Sequence, residues 1–401
     1  MSYSEMKDNQ NWLLPDGIYE SLPEEAQRLE NLRRDLLNLY AAWGYQLVLP
    51  PIVEFMDSLS TGTGTQLDLQ TFKVTDQMTG RVMGIRADIT PQVARLDAHQ
   101  MGKALPNRLC YAGPVLRTRS NHSNRGSRSP YQIGAELFGH AGLDSDLEVI
   151  ALALASIDKC HAGDVVLDLG HVGIFSALAK ALSFDAVTKA NVSDMLSRKS
   201  IPELSEWVAS QDLDPAYADI LLKLPEFNGD ISVVAEAKVA IGDSNTRMTE
   251  ILDSLEQTSI RLAKRFPDVT IHVDLSELRG YAYHTGMVFE IYAAGMRREI
   301  IRGGRYDGIG AAFGNSRPAT GFSTDLRILA DIKNAADTDT VQEKILAPVG
   351  EDLELVQVID ALRADGCHIV KQLDGQQYLA RELGCQKQLV KQDNDWVIVP
   401  V

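Results

Sequence analysis

The sequence predicts an α+β fold, and three observations lead to it. A long amphipathic helix lies near the start of the chain. Strand-like segments then come as a block instead of alternating with helices, and a mostly helical stretch separates that block from a second set of strands. At 401 residues the chain exceeds one ordinary core, so two or three domains are expected.

In order, SLPEEAQRLENLRRDLLNLYAAWG reads as one helix. Ser21 and Glu24 form an expected capping box and Pro23 suits the first turn. Leu29, Leu32, Leu36, Leu39, Tyr40 and Trp43 make its apolar stripe, and Gly44 ends it. YQLVLPPIVEF is extended because Pro50 and Pro51 block a helix. From 65 to 140 the texture is strand-like (TFKVTD, GRVMGIR, LCYAGPVLRT, YQIGAELFG), interrupted by a helix at 90–100. A helix at 144–159 and the strand DVVLDLG follow. Strands resume at VTIHVDL, GMVFEIYAA and RREIIRGGR, and RPATGFSTDLRIL runs from a strand into a helix.

The expected division is 1–330 as the main domain, with 172–266 as a largely helical insertion, 331–343 as an exposed linker and 344–401 as a small C-terminal α/β domain. In that tail KILAPVG and CHIVKQL read as strands and DLELVQVIDALRADG as a helix, followed by GQQYLARELG and DNDWVIVPV in the same strand–helix alternation.

Composition removes several function classes. A formal charge of −16 argues against broad nucleic-acid binding, which depends on basic surface. The most apolar run, LEVIALALASI at 147–157, is about half the length that spans a bilayer, and MSYSEMKDNQNW lacks the basic start and apolar run of a signal peptide. Cys110, Cys160, Cys367 and Cys385 have no metal or redox spacing and read as buried thiols, so a cytoplasmic location, no membrane and no metal are expected. No Walker A, dinucleotide glycine fingerprint, HExxH or GxSxG pattern occurs, and no cofactor is expected.

Chemistry-bearing residues gather in a few segments. In YQIGAELFG the strand period puts Tyr131, Ile133, Ala135 and Leu137 on a core face and Gln132, Gly134 and Glu136 on the other. A glycine between two polar residues leaves room for a ligand, although a half-solvated strand has the same pattern. RTRSNHSNRGSRSP holds Arg117, Arg119, Arg125 and Arg128 with no acid, which suits anion capture or a solvated loop. IRADITPQVAR sets Arg86 and Asp88 at a strand end and Thr90 at a helix start, where Asp88 or Thr90 is equally suited to capping. LRGYAYHTGMVFE offers Arg279, Tyr283 and His284 before an apolar strand, and GGRYDG reads as a tight turn beneath them. The turn into the last helix of RPATGFSTDLRIL has the form of a phosphate site, but Asp325 already supplies a negative charge there.

IRADITPQVAR, GPVLRTRSNHSNRGSRSPYQIGAELFG, ELRGYAYHTGMVFE, GGRYDG and GFSTDLRIL, in that order, resemble the catalytic domain of histidyl-tRNA synthetase over roughly residues 10–330. The resemblance implies a class II aminoacyl-tRNA synthetase-like antiparallel sheet with flanking helices, dimerising through the first long helix and strand. It implies a histidine pocket in which Asp88 (a glutamate in that family), Thr90 and Gln132 hold the amino group and Glu136 reads the imidazole. Tyr283 matches a pocket tyrosine, His284 replaces a second one, and Arg279 matches the arginine that meets the carboxylate. Arg117 stands where that family meets the α-phosphate.

The nucleotide half departs from the pattern. Arg119 replaces an acid, Asp325 a glycine and Ile328 an ATP-binding arginine, and the tail is shorter than an anticodon-binding domain, with thirteen acids against seven bases over 331–401. A synthetase-like chain altered in this way resembles the regulatory subunits of ATP phosphoribosyltransferase, in the first step of histidine biosynthesis. That resemblance implies a non-catalytic subunit that activates a short-form catalytic partner in a hetero-octamer, with L-histidine as allosteric ligand and no tRNA. An active histidine-activating ligase is the alternative.

Overall fold

A computed structural model describes residues 13–59, 61, 64–101, 105–119, 127–242, 245–278, 283–296, 298–314, 316–336, 343–375 and 378–401. Helix α1 (Pro23–Ala42) begins with Pro23, Glu24 and Glu25 in its first turn, which suits the positive end of the helix dipole. Leu32, Leu36 and Tyr40 point into the core, and Gly44, at φ +85°, closes the helix in the left-handed region that glycine tolerates. The expected capping box does not form: the helix starts one residue later, at an N-cap of Leu22, and Ser21 Oγ instead donates to Glu25 Oε1 at 3.0 Å.

Next come β1 (Gln46–Leu47), β2 (Val53–Phe55), α2 (Met56–Leu59), α3 (Gly64–Gln70), β3 (Phe72–Thr75), β4 (Val82–Ile85), α4 (Thr90–Gln100), β5 (Asn107–Pro114), β6 (Tyr131–Phe138), α5 (Leu143–Asp158) and β7 (Val165–His171). The short helix α3 lies at the start of the 65–140 stretch that the sequence reads as strand-like. Residues 173–265 then form six helices among the described residues: α6 (Gly173–Ala181), α7 (Ala186–Ser197), α8 (Ile201–Ala209), α9 (Pro215–Lys223), α10 (Ser232–Ile241) and α11 (Thr246–Arg265), with the two-residue strand β8 (Asn228–Gly229) before α10. The larger unit finishes with β9 (Val269–Asp274), β10 (Met287–Ala293), β11 (Ile301–Arg305), α12 (Ile309–Ala312), β12 (Ala319–Asp325) and α13 (Leu326–Ala336). Thus 331–336, expected as linker, continue a helix, because Leu329 and Ala330 give α13 a buried stripe that carries it past the polar residues. Residues 337–342 lie outside the described ones.

The main sheet has nine strands in the order β1-β5-β6-β12-β11-β10-β7-β9-β8. From β5 through β7 every pairing is antiparallel, as the resemblance implies, whereas β1–β5 and β7–β9 are parallel. One face packs a large apolar core containing Leu36 and Tyr40 of α1, Ile150 and Leu154 of α5, and Ile133, Ala135 and Leu137 of β6. The opposite face carries a smaller cluster of Ile89, Val93, Leu109, Tyr111, Phe138 and Tyr306 under α4. The Gln132–Gly134–Glu136 face is therefore buried and is not a solvated strand surface. Strands β2, β4 and β3 form a separate small sheet.

The chain divides into compact units at 1–337 and 338–401. The smaller unit contains β13 (Lys344–Ala347), α14 (Leu353–Ala364), β14 (His368–Lys371), β15 (Lys387–Gln392) and β16 (Asp395–Pro400), in the sheet order β14-β13-β15-β16. Ile345, Leu389, Leu355 and Ile359 make its core. Among the described residues of GQQYLARELG, 380–384 form turns and no helix, and the strand β15 follows; the alternation in KQLVKQ buries only Leu389 and is hard to see without its partner β16.

Candidate functional site

Hydrogen-bond register builds the site. Antiparallel pairing sets Leu109, Glu136, Gly321 and Gly304 in one row across β5, β6, β12 and β11, and Tyr111, Gly134, Ser323 and Arg302 in the next. Directly opposed residues share a face, so these rows floor a cavity of about 170 Å³ bordered by Asp88, Thr90, Glu136, Tyr283, His284 and Tyr306, among others. That space suits one small ligand. The floor is bare backbone for a reason: a Cβ at Gly321 would lie 1.6 Å from Glu136 Oε2, and one at Gly134 would lie 2.5 Å from the Tyr111 hydroxyl.

At one end, Asp88 Oδ1 accepts from Gln132 Nε2 at 2.8 Å and from the Thr90 N–H at 2.9 Å, while Gln132 Oε1 accepts from the Ile89 N–H. Asp88 thus both holds the start of α4 and borders the cavity. At the other end Glu136, 1% exposed, accepts from the Tyr111 hydroxyl at 3.0 Å and from the Tyr306 hydroxyl, and Tyr111 meets Thr90 Oγ1 at 3.0 Å. Burial pushes the Glu136 carboxyl up to about 8 despite these bonds, which favours its neutral form over the carboxylate. Tyr283 stacks on Tyr306, with ring centroids 5.0 Å apart, and its buried hydroxyl has no hydrogen-bond partner among the described residues. A buried orphan hydroxyl at a cavity wall is a site for a polar ligand atom.

Of the residues singled out in the sequence, Asp88, Thr90, Glu136, Tyr283 and His284 meet at this cavity, and Gln132 joins through Asp88. Arg117 stands just outside. Its Nε donates to the Ala87 carbonyl at 3.1 Å, and burial lowers its pKa, opposed by Asp88 and Asp325. Arg279 and Arg125 lie outside the described residues. Arg128 is taken up by the carbonyls of Arg117 and Asp16, and Arg86 by those of Pro114 and Pro50, so both serve the backbone. Arg119 is exposed.

Sequence reasoning missed Tyr111, Tyr306 and Arg302. GGRYDG was expected as a tight turn, but Gly303–Arg305 complete β11 and Tyr306 follows it into the pocket wall. Arg305 anchors that wall from behind, pairing with Asp146 at 3.0 Å and Ser145 Oγ at 2.8 Å in buried surroundings.

The turn into α13 is filled from within. Asp325 Oδ1 accepts from the N–H groups of Arg327 at 3.1 Å and Tyr131 at 3.2 Å, so donors that would meet a phosphate are already bonded. Arg327 turns toward the Tyr19 carbonyl and Glu25, and Ile328 packs against the main core. Among the described residues, no group of three or more His, Cys, Asp or Glu side chains could hold a metal ion, and no helix is long and apolar enough to cross a membrane.

Residues 17–329 match the family model for histidyl-tRNA synthetase, and residues 342–399 match that for the ATP phosphoribosyltransferase subunit HisZ C-terminal domain. The ATP phosphoribosyltransferase regulatory subunit of Alkalilimnicola ehrlichii is 46% identical over 100% of both chains, and that of Thioalkalivibrio sulfidiphilus is 47% identical over 98% of this chain and 99% of the relative. A solved Bacillus halodurans structure, described as an ATP phosphoribosyltransferase regulatory subunit/histidyl-tRNA synthetase, superposes with a TM-score of 0.82 at 25% identity, covering 94% of this chain and 97% of the other.

Proposed function

Because this chain belongs to the family of ATP phosphoribosyltransferase regulatory subunits, with a histidyl-tRNA synthetase-like body, we propose that it works by binding L-histidine in the Glu136 cavity. Its role is that of a non-catalytic subunit at the first step of histidine biosynthesis. The short-form catalytic subunit is its partner in a cytoplasmic hetero-octamer, and histidine reports end-product supply through it.

The observation that carries the histidine assignment is the buried Glu136 clamped between two tyrosine hydroxyls beside the unpartnered Tyr283 hydroxyl, where burial raises the carboxyl's pKa toward the neutral form. A neutral acid donates to the unprotonated ring nitrogen of an imidazole, and the tyrosine walls hold the ring's faces. Asp88, with Gln132 and Thr90, suits the ammonium end. Arg279 takes the carboxylate by resemblance, and His284 closes the pocket beside Tyr283, with ring centroids 5.2 Å apart. Arg117 lies beside Asp88, bonded to the Ala87 carbonyl. The bonded Asp325 turn supports a body that does not hold ATP, and the acidic tail supports one that does not bind tRNA. Exposed Leu47, Leu49 and Ile52 at the β1 edge support a self-dimer there.

Histidine bound here can bias the complex only through unequal affinity for its active and inhibited states. The test is reconstitution with the catalytic subunit, following phosphoribosyl transfer to ATP with and without histidine. Activation with histidine inhibition is expected. Histidine-dependent exchange of labelled pyrophosphate into ATP by the chain alone would overturn the non-catalytic reading.

A further inference from the structure

We infer that Glu54, which does not border the cavity, is a positioning residue that fixes the pocket's ammonium corner, an inference that rests on the amino-acid reading of the cavity. Asp88 and Thr90 border the cavity from the turn between β4 and α4. The chain on both sides of that turn is tied to one stretch, residues 50–54. Before the turn, Arg86 donates its backbone N–H to the Ile52 carbonyl at 3.0 Å and its Nη1 to the Pro50 carbonyl at 2.8 Å. After it, Gln92 Nε2 donates to the Pro51 carbonyl at 2.7 Å and to Glu54 Oε1 at 2.8 Å. One helical turn on, Arg95 Nη2 pairs with the same Glu54 oxygen at 2.5 Å.

Helix geometry makes this a grip from behind. At about 100° per residue, Gln92 stands roughly 200° around α4 from Thr90, so Thr90 faces the cavity while Gln92 faces β2. Gln92 and Arg95, three residues apart, share that rear face and converge on Glu54, whose side chain is 9% exposed. Gln92 is 1% exposed and spends its amide nitrogen on two acceptors, while its Oε1 is buried with no hydrogen-bond partner among the described residues. An apolar side chain would fill the same place without an orphaned acceptor. What it lacks is a directional bond that sets how far the start of α4 stands from the pocket. A ligand contact keeps its strength only when the groups behind it hold it in place.

The test is calorimetric titration of the full chain with L-histidine and with imidazolepropionate, which is histidine without its α-amino group. The wild-type chain is expected to prefer histidine by about 10- to 100-fold, the range of one charge-assisted contact. In Glu54→Ala that preference is expected to shrink by about 10-fold, a large share of that contact, with imidazolepropionate binding unchanged, which also shows that the variant is folded. Gln92→Met, which keeps the packing and removes both bonds, should give the same selective loss. Glu54→Gln, which keeps an acceptor for Gln92 and Arg95, should retain most of the preference. Equal weakening of both ligands would make Glu54 general scaffold, and an unchanged preference in Glu54→Ala and Gln92→Met would mean that the corner holds itself. Either result overturns the positioning role and leaves the pocket reading standing. Binding of neither ligand to the wild-type chain would overturn both.

Discussion

Replacing Glu136 with glutamine tests whether the pocket is built around a buried neutral acid. The carboxyl rises from 4.5 to about 8 in the folded chain, with burial as the main cause. A group whose folded value exceeds its unfolded one holds more protons in the folded state. For this acid, stability is therefore full below about pH 4.5, falls through the interval up to about 8 and levels off above it. At about 1.4 kcal/mol per pH unit, the chain carries a penalty on the order of 3 kcal/mol at neutral pH. Glutamine copies the shape of the protonated acid and cannot ionise, and the Tyr111 and Tyr306 hydroxyls can reorient to it. Urea unfolding of the histidine-free chain from pH 5 to 9 should show Glu136→Gln gaining on the wild type as pH rises and then running parallel beyond about pH 8. Curves parallel throughout would mean that Glu136 is already ionised in the fold, and the imidazole-donor argument would fail.

Other substitutions probe the frame. Gly321→Ala puts a methyl against Glu136 Oε2 and the Ala135 carbonyl, so it should cost about 1–3 kcal/mol in thermal unfolding and abolish histidine binding by calorimetry. Asp325→Ala strips two backbone N–H groups of their acceptor and should cost about 1–2 kcal/mol by urea titration without restoring pyrophosphate exchange. Arg305→Ala leaves Asp146 buried without its cation, and unfolding should register a loss of about 3–5 kcal/mol.

The fold was legible wherever burial imposes a period. Helix α4 falls on the residues its pattern marks, and β6 carries the core alternation of Ile133, Ala135 and Leu137. Legibility failed where partners distant in sequence decide the outcome. β15 needs β16 to reveal it, α13 runs on through polar residues because of its buried stripe, and Leu22 displaces Ser21 at the start of α1. The site divides in the same way. Asp88, Thr90, Gln132, Glu136, Tyr283 and His284 stand in segments whose composition singled them out. Tyr111, Tyr306 and Arg302 lie on strands that read as scaffold, and only the register across β5, β6, β12 and β11 brings them to Glu136. No local pattern contains that register.

The most direct measurement is histidine inhibition of phosphoribosyl transfer by the complex reconstituted with Glu136→Ala. Activation of the catalytic subunit should persist at the wild-type level while inhibition by histidine disappears, because the variant loses the group that meets the imidazole and keeps the rest of the fold. Inhibition at an unchanged histidine concentration would contradict the assignment and move the sensing site elsewhere in the complex.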